Sequence, residues 1–112
     1  MQEDDDRFYL IAYCTCPPDD APEIARELVR RKVCACANIV PGLQSVYLWK
    51  GSIETDAESL LVIKTRSDRF EDLHEVIAER HPHEVFELIA SRVEAASGDY
   101  IAWIDECVGR DA

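Results

Sequence analysis

The sequence predicts an α+β domain in the order β-α-β-β-α-β, closed by a short terminal helix. Three observations predict it. A nearly unbroken apolar run, Phe8 to Cys16, leads directly into a segment with helical spacing. Two long extended stretches, from Ala37 to Trp49 and from Ser59 to Thr65, meet at a Lys50-Gly51-Ser52 reversal. A second helix-to-strand unit follows, from Ser67 to about Val93.

Phe8–Cys16 is rich in β-favouring residues with no polar alternation, which suits a central strand buried on both faces. Pro17-Pro18 ends it. Asp19 and Asp20 are N-cap candidates, and Pro22 and Glu23 suit a first helical turn. Ile24, Ala25, Leu28 and Val29 recur at helical spacing, with Arg30, Arg31 and Lys32 at the end that favours positive charge. In the next strand Pro41-Gly42 predicts a bend or bulge, while Tyr47 and Trp49 alternate and therefore share a face. Ser67 is the expected cap of helix two, whose buried stripe is Phe70, Leu73, Val76 and Ile77. His81-Pro82 stops that helix, because the residue before a proline disfavours helical geometry. The fourth strand is expected from Val85 to about Val93. Ser97-Gly98-Asp99 then opens the last helix, with Tyr100, Ile101, Ile104 and Val108 along one side.

Split β-α-β connections of this kind give a ferredoxin-like sandwich, four antiparallel strands with both helices on one face. The uncovered sheet risks aggregation, so association through it is expected. Residues 1–112 read as a single domain, of which 1–7 form a flexible acidic N-terminus. A net charge of −11 opposes binding to nucleic acid or to an anionic membrane surface. No apolar run reaches the roughly 18 residues of a membrane span, and the acidic start is unlike a signal peptide, which predicts a cytoplasmic protein. The five cysteines are then expected as thiols. Cys14, Cys16, Cys34 and Cys36 stand in C-x-C pairs, unlike the C-x2–4-C spacing of structural zinc sites, and core packing is the expected role of Cys36 and Cys107. No P-loop, G-x-G-x-x-G or H-E-x-x-H motif is present, and an enzyme is not expected.

From Ala35 to Gly51 the chain reads A-C-A-N-I-V-P-G-L-Q-S-V-Y-L-W-K-G. Together with Glu58, Leu60, Lys64-Thr65, His81-Pro82, Glu84, Glu87 and Tyr100-x-x-Trp103-Ile104, this string resembles the CutA family of divalent-cation tolerance proteins. The resemblance implies a homotrimer built like the PII signalling proteins, linked to tolerance of copper and other divalent metals. It also implies that Cys14, in its T-x-P context, corresponds to a copper ligand that pairs with two adjacent histidines. Here that pair is Arg80-His81, so His83 would have to compensate from beyond the proline. Thiolate and imidazole suit copper or zinc, with no resident cofactor required. The alternative is a PII-like sensor binding a small anion between subunits. Lys64 would balance the charge, Glu58 would accept a hydrogen bond, and Tyr47, Trp49 and Trp103 would form apolar walls. The chain departs from the family at His83, Phe86, Arg92 and Ala96, around the fourth strand.

Charge alone generates one prediction. A trimer would carry three times the −11 of each chain, and salt screens such repulsion over about 10 Å at 0.1 M. Thermal unfolding is expected at higher temperature in molar NaCl than in dilute buffer. A melting temperature that stays flat or falls contradicts this.

Overall fold

The computed structural model describes residues 7–109, so the expected flexible N-terminus lies, apart from Arg7, outside the described residues. Strand β1 (Tyr9–Cys16), helix α1 (Ala21–Arg30), strands β2 (Cys36–Trp49) and β3 (Ser52–Arg66), helix α2 (Phe70–Arg80), strand β4 (Ile89–Arg92) and helix α3 (Gly98–Val108) follow in that order. The strands form one open sheet in the spatial order β2-β3-β1-β4, and every neighbouring pair is antiparallel.

Alternation along β1 decides which face is covered. Leu10, Ala12, Cys14 and Cys16 are buried, whereas Tyr9, Ile11, Tyr13 and Thr15 are only half-buried. Ala12, Cys14 and Cys16 join Leu61 and Ile63 of β3 beneath Ile24 and Leu28 of α1 and Leu73 and Ile77 of α2. Ion pairs tie the two helices together, Arg31 to Glu79 and Arg80 to Glu23, each at 2.8 Å. The expectation that the first strand is buried on both faces is thus corrected. Its second face carries Ile11 and Tyr13 without a full cover, because α3 packs over only one end of the sheet.

At that end, Ile104 and Val108 of α3 pack with Ala35, and Tyr9, Ile101 and Cys107 flank them. Polar contacts fix the helix in place. The Arg66 guanidinium donates to Asp105 at 2.8 Å and to Asp68 at 2.7 Å, and the Tyr9 hydroxyl donates to Asp105 at 2.8 Å. Ser97 caps α3 as expected, its Oγ accepting from the Tyr100 amide at 3.4 Å. Ser67 does not cap α2. It sits in a short 3-10 turn, and its Oγ accepts from the Phe8 amide at 3.0 Å, binding that turn to the start of β1.

Local chemistry explains the shape of β2 and β3. The register shifts between Val40 and Leu43, where Gly42 has φ +81, so Pro41-Gly42 does form the bulge. Beyond it the two strands continue as a hairpin arm to Trp49 and Ser52. Lys50 and Gly51 both have positive φ, which matches the right-handed twist of a two-residue hairpin. The arm is exposed, with Leu48 and Ile53 more than two-thirds accessible.

The fourth strand is shorter than the Val85–Val93 expected. β4 pairs only Ile89–Arg92 with Tyr13–Leu10. Further pairing toward the end of β1 is blocked, because the Thr15 carbonyl is taken by the His81 ring and the Thr15 hydroxyl by Glu87.

Arg66 is only 4% exposed and serves two carboxylates at once. Arg66→Ala is expected to lose roughly 3 kcal/mol of stability, since it strands partly buried carboxylates. Guanidinium denaturation provides the check, and a loss below about 1 kcal/mol would show that α3 docks without this pair. The Arg66 hydrogen bond holds the Asp68 carboxyl below its usual range. That contribution is present above pH ~4 and is lost as pH falls through the depressed value.

Candidate functional site

A cleft of about 610 Å³ opens between the hairpin arm and the segment joining α2 to β4. The arm contributes Tyr47 and Trp49, which share a face as the alternation requires, together with Ser45 and Val46. β3 contributes Glu58, opposite Leu43 just past the bulge. The far wall comes from His81, His83, Val85, Phe86 and Glu87, with Thr15 at the floor. Bulge, arm and truncated fourth strand together leave this volume open.

His81 organises the far wall. It follows the last residue of α2 in extended geometry, φ −75 and ψ 133, and is almost fully buried. The His83 amide donates to His81 Nδ1 at 3.1 Å, so Nδ1 must accept. Nε2 therefore carries the proton and donates to the Thr15 carbonyl at 2.9 Å. The ring also stacks on Phe86, with centroids 5.0 Å apart and planes tilted by 20°. Phe86 in turn meets His74 at 5.5 Å. The imidazole thus pins the cleft segment to the end of β1.

On the opposite wall, the Tyr47 hydroxyl donates to Asp56, which raises its phenol to about 12. Lys50 places its ammonium 5.6 Å from the centre of the Trp49 ring. Glu58 is 9% exposed, and its side chain has no hydrogen-bond or ion-pair partner among the described residues. Glu87 accepts from the Thr15 hydroxyl at 3.2 Å. Among the described residues, no lysine or arginine lines the cleft.

Five sequence-predicted residues, Tyr47, Trp49, Glu58, His81 and His83, therefore share one cleft. Lys64 and Trp103 are not among its walls. The Lys64 ammonium donates to Asn38 Oδ1, and Trp103 lies on α3 against Tyr100, with ring centroids 5.5 Å apart. Cys14 lies within the strand and is not presented to the cleft as the implied ligand role requires. β1 runs on to Cys16, and Cys14 is wholly buried beneath the helices, where burial pushes its thiol up to about 12. It does come near His81, since its Sγ lies 3.7 Å from the same Thr15 carbonyl. Cys14, Cys16 and Cys34 are buried in the core; Cys107, half-buried, packs against the smaller cluster under α3 as expected, whereas Cys36 is half-buried outside both clusters, which corrects the core role expected of it.

The implied copper or zinc set does not fit as arranged. Cys14 is a protonated core thiol, both His81 nitrogens are engaged, and no group of three or more metal-binding side chains occurs among the described residues. Sequence reasoning missed Thr15 and Ser45 as lining residues. Phe86 and Glu87 drew notice only as part of a motif, and the H-P-H-E-V-F-E run was the signal that could have placed them here.

An open antiparallel sheet with helices, carrying an acidic and aromatic cleft, defines a small α+β domain. Residues 10–107 match the family model of the CutA1 divalent ion tolerance protein, and the chain belongs to that family. It is 46% identical over 98 residues to a CutA homolog of Xenopus laevis, covering 87% of this chain and 65% of that protein. Mouse CutA is 43% identical over 96 residues, covering 85% of this chain and 54% of its own length. The chain thus spans about half to two-thirds of the animal relatives it matches. The divalent-cation tolerance protein CutA of Thermus thermophilus is 37% identical, over 88% of this chain and 97% of its own. Its solved structure has a TM-score of 0.87 at 36% identity, covering 90% of this chain and 99% of that one. A PII-like CutA from Nostoc, solved in apo form, has a TM-score of 0.83 at 34% identity, covering 88% and 96%.

The thiols give a prediction with a definite sign. Burial raises Cys14 and Cys34 to about 12 and Cys16 to about 11. Ionisation of these thiols is open to the unfolded chain before the folded one, so stability is held below about pH 9 and falls as pH rises toward 12. Iodoacetamide at pH 8 is expected to leave all three unmodified until denaturant is added, as read by peptide mass spectrometry. Alkylation of Cys14 in the native protein would refute its placement.

Proposed function

We propose that this chain acts in divalent-cation tolerance as a homotrimeric, non-catalytic, cytoplasmic binding protein, with the cleft as its ligand site. The observation that carries this reading is the convergence of Tyr47, Trp49, Glu58, His81 and His83 on one cleft of about 610 Å³. That volume falls within the roughly 300–1,000 Å³ typical of small-molecule sites. Nothing in it has the form of an activated nucleophile: the nearest thiol, Cys14, is buried and protonated.

Trimer formation follows from the uncovered face of the ferredoxin-like sheet. Ile11, Tyr13, Leu60 and Val62 lie half-buried there, with Val40 and Ile89 exposed at its edges. Burying such side chains contributes roughly 1.5–3 kcal/mol each, enough for a stable assembly. The Nostoc relative's PII-like description supports the same architecture. No helix among the described residues is long and apolar enough to cross a membrane.

Copper or zinc at Cys14, His81 and His83 is the second reading, favoured only by the meeting of Cys14 and His81 at the Thr15 carbonyl. Two measurements test the proposal. Light scattering across a dilution series is expected to give the mass of three chains, and a monomer at micromolar concentration would defeat the trimer. Anaerobic calorimetry with Zn(II) and Cu(II) is expected to find Cys14→Ser equal to wild type. A tight site lost in both Cys14→Ser and His81→Ala would restore the metal reading.

A further inference from the structure

Resting on the reading of the cleft as a ligand site, we propose that the cleft selects an organic cation, a primary ammonium or guanidinium group on an apolar body, with Glu58 as its counter-charge. Glu58 supplies the first argument. Glu58 is 9% exposed and lines the cleft with no hydrogen-bond or ion-pair partner among the described residues, so its carboxylate meets the cleft without a counter-ion. Such a group is costly to leave uncompensated, and an N–H-bearing cation in the cleft compensates it by charge and hydrogen bond together.

The rest of the wall agrees in sign. Glu87 adds a second carboxylate, Asp56 stands behind Tyr47, and the nearby cleft segment carries Glu84. Among the described residues lining the cleft, those able to carry positive charge are His81 and His83, with Lys50 at its mouth over Trp49. His81 is committed through both nitrogens, and its ring stacks on Phe86. The anion expected from Lys64 therefore has no cation to meet in this cleft, since Lys64 binds Asn38 elsewhere.

Aromatic surface supplies a second, independent argument. The Lys50 ammonium already sits 5.6 Å from the Trp49 ring centre, so this indole attracts a cation at the mouth of the cleft. Tyr47 is tied to Asp56 through its hydroxyl, which leaves the ring as its contribution to the wall. Carboxylate depth and aromatic walls together suit an amine on a hydrocarbon body better than a bare divalent ion. A divalent ion would need several oxygen or imidazole donors gathered around one point.

The test uses the full chain in its native assembly, in a Trp103→Phe background so that Trp49 fluorescence reports on the cleft alone. The probes are phenethylamine, its charge-reversed analogue 3-phenylpropionate, and Zn(II). Phenethylamine is expected to change Trp49 emission saturably and to weaken several-fold between dilute buffer and molar NaCl. Glu58→Gln, with circular dichroism and assembly mass unchanged, should weaken it at least tenfold, and Glu58→Asp should recover part of the loss. Equal or tighter binding of 3-phenylpropionate, or an unchanged Glu58→Gln, overturns the cation assignment while Trp49 still reports an occupied cleft. Saturation by Zn(II) alone replaces the organic cation with a metal. If no probe alters Trp49, the cleft is not the ligand site and the functional reading fails with it.

Discussion

Two helices can cover one face of a four-stranded sheet, and the treatment of the second face governs the rest of this molecule. β1 shows the constraint most clearly. Its even positions, Ala12 to Cys16, close a dry core with α1 and α2, while Ile11 and Tyr13 on the odd side remain half-covered. α3 reaches back over one end of that second face, held by Arg66, Asp105 and Tyr9, and leaves the remainder apolar. A sheet built this way leaves apolar side chains on its open face. Its long β2–β3 arm, paired to the tip, extends outward from the sheet.

At the other end of β1, a single imidazole does what more strand pairing would have done. Two residues beyond the last pair, Tyr13 with Ile89, Thr15 would have faced Glu87 in a longer β4, but its carbonyl accepts from His81 and its hydroxyl binds Glu87. Residues 81–88 consequently stand off from the sheet edge and form a wall rather than a strand. Phe86 stacks on His81 and stiffens that wall. The same imidazole cannot offer a free nitrogen without releasing the wall, which sets the structural role of His81 against a role as metal ligand.

Features set by neighbouring residues were legible in the sequence. Pro41-Gly42 needs a bulge, Lys50-Gly51 a tight reversal, and His81-Pro82 a helix end, because each depends on the φ and ψ open to adjacent residues. Tyr47 and Trp49 were legible as cleft partners through strand alternation alone. Features set by distant residues were not. Ser67 reads as a helix cap until Phe8, far away in sequence, takes its hydroxyl. Cys14 reads as a ligand by its motif until the helices close over that face of the strand. Lys64 and Trp103 fit a ligand site by residue type, but Asn38 and Tyr100 hold them elsewhere.

The sign of the charge in the cleft follows from this division of labour. Arginines are concentrated where the helices meet one another and where α3 meets the sheet, each facing carboxylates that need them. Glu58 lies beyond their reach, past the bulge that turns the arm away from the sheet. Its isolation is thus a consequence of the backbone: the device that opens the cleft also separates this carboxylate from the cations that neutralise the others. An acid without a counter-ion in that position adds no ion pair to the stability of the fold. Its retention in the wall of an aromatic cleft makes sense if the missing positive charge arrives with the ligand.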